Sequence, residues 1–278
     1  MLDDKHDDAP LLSKQDDEIS RRLVAARLGA KPLTDYPGQL PTTLRQAYAI
    51  QSASIARWPD EVAGWKVAML PPAAREDLGA ERLAGPIFRS TIQRVQPGTC
   101  TSIPIFHGGF AAVEAEFVIE LGATVPPSTK EFSDSELIEL VATFSAGVEV
   151  AGSPMAAINK LGPLCGISDF GNNAGLIVGP TIPDWDSRTL DSLTAKVTVD
   201  DVVVGDASAD AIPGGPLQAL RFLLGHLGRL GIEIPRGALI ATGATTGVHD
   251  VQVTSSARID YGETGCLSFS FEALTPKQ

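Results

Sequence analysis

The sequence predicts an α+β protein, with helices gathered in an N-terminal region and a curled or sandwich-like sheet building the rest. Three observations point there. Two early stretches carry apolar residues at helical spacing, eight short segments beyond residue 60 read as strands, and only two well-marked helices interrupt those strands. Without a regular βα alternation, a Rossmann or TIM architecture is disfavoured. A chain of 278 residues, 44% of them hydrophobic, can bury a core without disulfides or structural metals.

Residues 1–17 hold six aspartates and little to bury, and read as a flexible acidic tail. In the next region, 18–60, Ile19, Leu23, Val24 and Leu28 form a helical stripe that Gly29 closes. Beyond the loop KPLTDYPGQLP, Thr42 or Thr43 can cap a second helix carrying Leu44, Ala47, Tyr48 and Ile55. The remainder, 61–278, holds the strands Val62–Met69, Val113–Leu121, Gly147–Val150, Ala174–Val178, Thr194–Val199, Leu239–Thr242, Ala257–Tyr261 and Leu267–Glu272. Ser133 with Glu136 makes a capping box for one intervening helix, and the other runs from Pro216 to Gly231.

Charge and cysteine usage narrow the function. Lys plus Arg number 22 against 34 Asp plus Glu, a formal charge of −12 with no compact basic cluster, so a nucleic-acid or anionic-membrane partner is disfavoured. Cys100, Cys165 and Cys266 lack C-x-x-C spacing, which argues against a disulfide framework and a zinc cluster and for a reducing compartment. No window is apolar enough for a membrane helix, and the opening residues lack the regions of a signal peptide, so a cytoplasmic location is expected.

The chemistry concentrates in VEAEFVIEL. On a strand, Glu114 and Glu116 share one face, roughly 7 Å apart along the backbone. Two carboxylates in so apolar a segment need water or a cation to offset repulsion and desolvation. The row continues at Glu120, which is also how a solvated strand face reads. Glu149 lies between Val148 and Val150 and is costly there unless paired. Three such acids suit a hard cation, Mg²⁺ or Mn²⁺, better than zinc. Lys66 is the only charge in VAGWKVAM; it can snorkel from a strand edge, orient an anion, or transfer protons from a depressed pKa. Gly243, Ala244 and Thr245 belong to ATGATTG, a turn that can offer amides and hydroxyls to a carboxylate but lacks the lysine of a P-loop. Asp169, in ISDFGNNAGLIVG, can cap a turn, and His107 is a loop histidine just ahead of the glutamates.

In order, TTLRQAYAIQ, GWKVAM, VEAEFVIEL, GVEVAGSP, ISDFGNNAGLIVG, GPLQAL, IATGATTG and ARIDYGETGCLSFSF resemble the fumarylacetoacetate hydrolase superfamily, in its 2-keto-4-pentenoate hydratase and 4-oxalocrotonate decarboxylase branch. The resemblance implies a helical N-terminal region followed by a mixed β-roll catalytic domain of the fumarylacetoacetase C-terminal-like type, assembled as a homo-oligomer. It implies Mg²⁺ or Mn²⁺ at Glu114, Glu116 and Glu149, Lys66 and Asp169 as catalytic residues, and substrate contacts at Gly243, Ala244, Thr245 and His107. The implied reaction is hydration of a small-molecule 2-hydroxy-2,4-dienoate, the 2-oxo form of which is stabilised as an enolate by Lewis-acid action. A 2-oxo acid decarboxylase or a C–C bond hydrolase is the alternative among enzymes, and an oxo-acid-binding or partner subunit the alternative outside them. The chain departs from related hydratases at Ala244, where they carry Thr or Ser, and at Phe170, where they carry Asn. It also has no acid after Glu81 in the segment following the lysine strand.

Overall fold

The structure is a computed structural model and describes residues 12–277. Residues 1–11 of the expected tail lie outside the described residues, and its last part is helical: α1 spans Lys14–Leu28. It begins ahead of the apolar stripe because the Ser13 hydroxyl accepts the Asp16 N–H and two acids, Asp16 and Asp17, occupy the first turn. Gly29 stands at the C-cap but keeps a right-handed φ of −78°; the left-handed residue is Ala30, at φ 47°. Thr43 caps α2 (Leu44–Arg57), its hydroxyl accepting the Gln46 N–H. Ile19 and Leu23 of α1 and Ile50 of α2 bury together with Phe110, Ala112 and Ala151, which docks the helices on the sheet.

The chain continues through β1 (Val62–Met69), α3 (Pro72–Leu78), β2 (Arg82–Phe88), β3 (Ile92–Arg94), β4 (Cys100–Ile105) and the long β5 (Phe110–Leu121). Next come α4 (Asp134–Leu140), β6 (Val141–Ser153), α5 (Ile158–Leu161), α6 (Pro163–Ser168) and β7 (Asn173–Thr181). The last part holds β8 (Thr194–Val199), β9 (Val202–Ser208), α7 (Gly215–Arg229), β10 (Leu239–Ala241), β11 (His249–Asp250), β12 (Ser256–Asp260) and β13 (Cys266–Ala273).

Among the described residues these strands form two mixed sheets. The larger has the order β2-β1-β10-β5-β6-β7-β3, with β11 added beside β5; the smaller runs β4-β13-β12-β8-β9. Between them lies the main core, in which Phe117 and Phe144 of the large sheet meet Val197, Ile259 and Phe269 of the small one and Leu220 and Leu223 of α7. The apolar alternation that marks β5, β6, β8, β12 and β13 in the sequence is therefore one face of a common interior.

The elements not foreseen are those whose composition breaks the local rules. β2 contains Gly85-Pro86 and β4 contains Pro104, and both are edge strands, where a missing ladder donor is tolerated. β9 follows a two-residue turn built by Asp200 and Asp201 in place of Asn-Gly, both left-handed at φ 49° and 63°. α3 buries no residue, so it has no apolar stripe to read.

Gly147 of β6 sits opposite Glu116 of β5, and the Tyr261 hydroxyl donates to its carbonyl oxygen. A Cβ there would overlap Val118 Cγ2 and lie 2.9 Å from the Ile177 carbonyl oxygen. Gly147→Ala is expected to lower stability by about 1–3 kcal/mol through overpacking, read as a lower urea midpoint; an unchanged midpoint would show that the strands yield freely.

Candidate metal centre and active site

The antiparallel pairing of β5 with β6 sets Glu114 directly across from Glu149 and Glu116 across from Gly147. Period-two alternation keeps Glu114 and Glu116 on one face. Candidate ligand oxygens of the three carboxylates lie within 4.8 Å of one another. Oxygens on opposite sides of one hard cation, bound at 2.0–2.6 Å, are at most about 5 Å apart, so the cluster fits a single ion. Glu116 and Glu149 are fully buried, at 0% exposure, and Glu114 is nearly so at 5%. The row ends as a solvated face would: Glu120, four residues beyond Glu116, reaches the surface and pairs with Arg94 at 2.7 Å.

Two of the three carboxylates, Glu149 and Glu116, have part of their bonding capacity supplied by the protein. Lys66 of β1 places Nζ 3.1 Å from Glu149 Oε1, and the same oxygen accepts from Asn173 Nδ2 at 3.0 Å. Glu116 Oε2 accepts the Gly243 N–H at 2.9 Å. The other oxygens of these two residues, Glu116 Oε1 and Glu149 Oε2, are buried and have no partner. Such orphans are costly in a native protein. Three carboxylates against one ammonium also leave two negative charges uncompensated. Two bare buried oxygens and a charge of minus two fit a hard divalent cation, with the three glutamates as its ligands.

The electrostatics agree with the geometry. Burial, and then the Glu149 carboxylate, push Glu114 up to about 7 against the pull of Lys66. Glu116 is driven well above the usual carboxylate range by burial, Glu149 and Glu114. Burial alone would lower Lys66, but Glu149, Glu114 and Glu116 outweigh it and hold the lysine above its ordinary value. In the metal-free protein the three carboxylates thus favour the ammonium form of Lys66.

A cavity of about 330 Å³ opens on this cluster. Lys66, Glu114, Gly243 and Ala244 line it, with Leu83 and Ile212 among its apolar walls. The turn after β10 brackets Glu116: Thr242 donates its N–H to Phe117 O at 3.2 Å and Thr245 donates to Ala115 O at 2.8 Å. The Gly243 amide, expected to serve a substrate carboxylate, is committed to Glu116 instead. Thr245 is buried behind the cavity wall rather than part of it, its hydroxyl unpartnered.

Two further expected residues stand elsewhere. His107 is exposed and does not line the cavity. Asp169 is buried below the site, accepting from Arg27 Nε at 2.5 Å and from the Ser153 hydroxyl at 2.6 Å, which leaves it no direct approach to the cavity. Arg27 also donates to Asn173 O and Gly152 O. It thereby fixes the start of β7, from which Asn173 reaches Glu149. The sequence reading passed over Arg27 and Asn173. Arg27 did leave a signal, a charge in register with Ser20, Leu23 and Val24 on the buried face of α1; Asn173 read only as part of a turn. Phe170 is explained by the same neighbourhood: it packs edge-on against Trp58 and Phe88, with Arg27 over its ring at 5.0 Å.

No protein-family model matches the chain. It is 24% identical over 235 residues to a 2-keto-4-pentenoate hydratase of Paraburkholderia xenovorans (strain LB400), covering 83% of this chain and 85% of the relative. The same identity and coverage relate it to 2-keto-4-pentenoate hydratase 3 of Pseudomonas putida. Among solved structures, 4-oxalocrotonate decarboxylase from Pseudomonas putida G7, complexed with magnesium and adipate, superposes with a TM-score of 0.76 at 21% identity, over 95% of this chain and 99% of that one. Fumarylpyruvate hydrolase from Pseudomonas aeruginosa, in complex with Mn²⁺ and pyruvate, gives a TM-score of 0.53 at 16% identity, over 75% and 88% of the two chains. The structural likenesses establish the fold.

Two predictions test the site. The folded, metal-free protein holds protons on Glu114 and Glu116 at pH values where the unfolded chain, near pKa 4.3, has released them, so raising the pH from about 5 to about 7 costs stability. Mg²⁺ competes with those protons, and its addition to chelator-treated protein is expected to raise the melting temperature more at pH 7.5 than at pH 5; equal shifts would contradict a carboxylate site. Separately, Arg27→Met strands the buried Asp169 and is expected to destabilise the fold by about 3–5 kcal/mol in denaturant titration.

Proposed function

We propose that the chain is a member of the fumarylacetoacetate hydrolase superfamily, in its hydratase and decarboxylase branch, and that it is a divalent-metal-dependent lyase that hydrates a 2-hydroxy-2,4-dienoate to a 4-hydroxy-2-oxo acid. The observation that carries this reading is the buried cluster of Glu114, Glu116 and Glu149 with two bare oxygens, beside Lys66 and open to the cavity. Structural neighbours that bind calcium, magnesium or manganese support a metal there, with Mg²⁺ or Mn²⁺ the ion expected from the ligand set.

A bound divalent cation supplies Lewis-acid stabilisation of an enolate at C2 of the substrate. The protein does the rest. Glu116 and Glu149 are held by Gly243, Lys66 and Asn173, so the ligand set is oriented before substrate arrives. Lys66, held as an ammonium, attracts the substrate carboxylate and keeps a proton at Nζ beside the site where an enolate gains one. Leu83, Ile212 and the turn from Thr242 to Ala244 wall off the reacting carbons from bulk water. Residues 61–278 form the catalytic region, with the helices of 18–60 bracing its underside through Arg27.

Decarboxylation of a 2-oxo acid is a second reading favoured by one observation. Apart from Glu114, no Asp, Glu or His among the described residues lines the cavity, so none of them is at hand as a separate base to activate water. Decarboxylation needs the enolate and a proton donor only.

The two are separated by following the dienol absorbance of 2-hydroxypenta-2,4-dienoate and CO₂ release from 2-oxohex-3-enedioate. Hydration predicts loss of the dienol that stops with chelator, returns with Mg²⁺ or Mn²⁺, and falls at least about a hundredfold in kcat/KM for Glu116→Gln and for Lys66→Met. Turnover that ignores metal removal would overturn the metal reading. CO₂ release without dienol loss would select decarboxylation.

A further inference from the structure

Arg82 opens β2, opposite Met69 of β1 and three residues along that strand from Lys66, a separation of roughly 10 Å. It lines the same cavity as Lys66 and Glu114. Its side chain is only 4% exposed, yet among the described residues no carboxylate hydrogen-bonds it. Nη2 donates to the Pro213 carbonyl oxygen. The acid paired with it among the described residues, Glu81, stands 3.6 Å from Nη1 and is 74% exposed, so water screens much of its charge. Burial lowers the Arg82 pKa, Glu81 opposes this, and a second cation, Arg75 of α3, adds to it.

A guanidinium taken out of water without a buried counterion is costly, and the cost is recovered when an anion completes its hydrogen bonding. The planar fork of arginine suits a carboxylate, which it can hold by two parallel bonds. The cavity therefore has two cationic positions: Lys66 at the glutamate cluster, and Arg82 further along β1. A monocarboxylic substrate would satisfy the first and leave the second bare.

Resting on the metal-held 2-oxo acid read above, we propose that Arg82 is a specificity-determining residue that receives a second carboxylate at the far end of the substrate, so that the chain takes 2-oxo dicarboxylic acids in preference to monocarboxylic ones. The preference is independent of whether the reaction is hydration or decarboxylation, because it concerns the end of the substrate remote from the enolate.

The test is calorimetric titration of the Mg²⁺-loaded full chain with two unreactive acids of equal length, 2-oxohexanedioate and 2-oxohexanoate. Wild type is expected to bind the diacid roughly tenfold to a hundredfold more tightly, the range for hydrogen bonds to a charged group. Arg82→Gln should bring the two within about threefold by weakening the diacid alone, and Arg82→Lys should keep part of the preference. If Arg82→Gln does not fold by circular dichroism, the wild-type preference and its partial loss in Arg82→Lys decide the matter. Equal affinities in wild type, a preference that survives in Arg82→Gln, or a variant that weakens both acids alike would overturn the assignment. Mg²⁺-dependent binding of 2-oxohexanoate with no gain for the diacid would overturn it while leaving the metal reading intact. Failure of both acids to bind with metal would remove that reading and this inference together.

Discussion

Three carboxylates are buried together at the foot of a cavity, and the cost of keeping them there shapes the elements around it. Two unit charges at the 4.8 Å limit of the cluster repel by about 3 kcal/mol at an effective dielectric near 20, before desolvation is counted. The protein answers with a buried lysine, a backbone amide and a side-chain amide, and still leaves two oxygens unpaired. The raised pKa values of Glu114 and Glu116 express what remains uncompensated. A divalent cation would cancel the charge and supply the missing bonds together, in place of the protons that the metal-free site retains.

That requirement explains features remote from the cavity. Glu149 is useful only if its carboxylate is held, and Asn173 holds it from the first residue of β7. The start of β7 is fixed in turn by Arg27, which reaches from α1 to the Asn173 and Gly152 carbonyl oxygens and to Asp169. Just before it, Phe170, Gly171 and Asn172 are all left-handed, at φ 57°, 64° and 64°. Two of these are not glycine, a strained run of the kind found where a backbone is over-determined by its surroundings. Gly171 and Asn172 line the cavity on one side, while Phe170 packs among aromatic rings on the other. The N-terminal helix and this turn together act as a brace beneath the carboxylates.

The distribution of charge follows the same logic. An overall charge of −12 keeps the surface acidic, whereas Lys66 and Arg82 both line the cavity. Neither is free to move far, since both are almost fully buried. An anion entering the cavity would therefore meet a local field opposite in sign to the charge of the whole molecule, one that the low-dielectric walls strengthen.

Much of this was legible in the residues. β1 and β8 have the bounds their alternation predicts, the Ser133 capping box is present, and Glu114 and Glu116 share a face because strand periodicity allows nothing else. Lys66 and Glu149 stood out as charges in apolar strands. What sequence could not supply was pairing across distance. Only the β5–β6 register sets Glu149 opposite Glu114, and only the crossover of β10 beside β1 carries the Gly243 amide to Glu116. The placement of Asp169 against Arg27 and of His107 outside the cavity lining was hidden for the same reason: a titratable residue in a turn looks alike whether it faces a cavity, an arginine or water. Local periodicity determines which side of a strand a residue occupies, because that depends on the chain's own geometry. What lies on that side is decided by contacts between segments far apart in sequence, and those exist only once the sheets have closed.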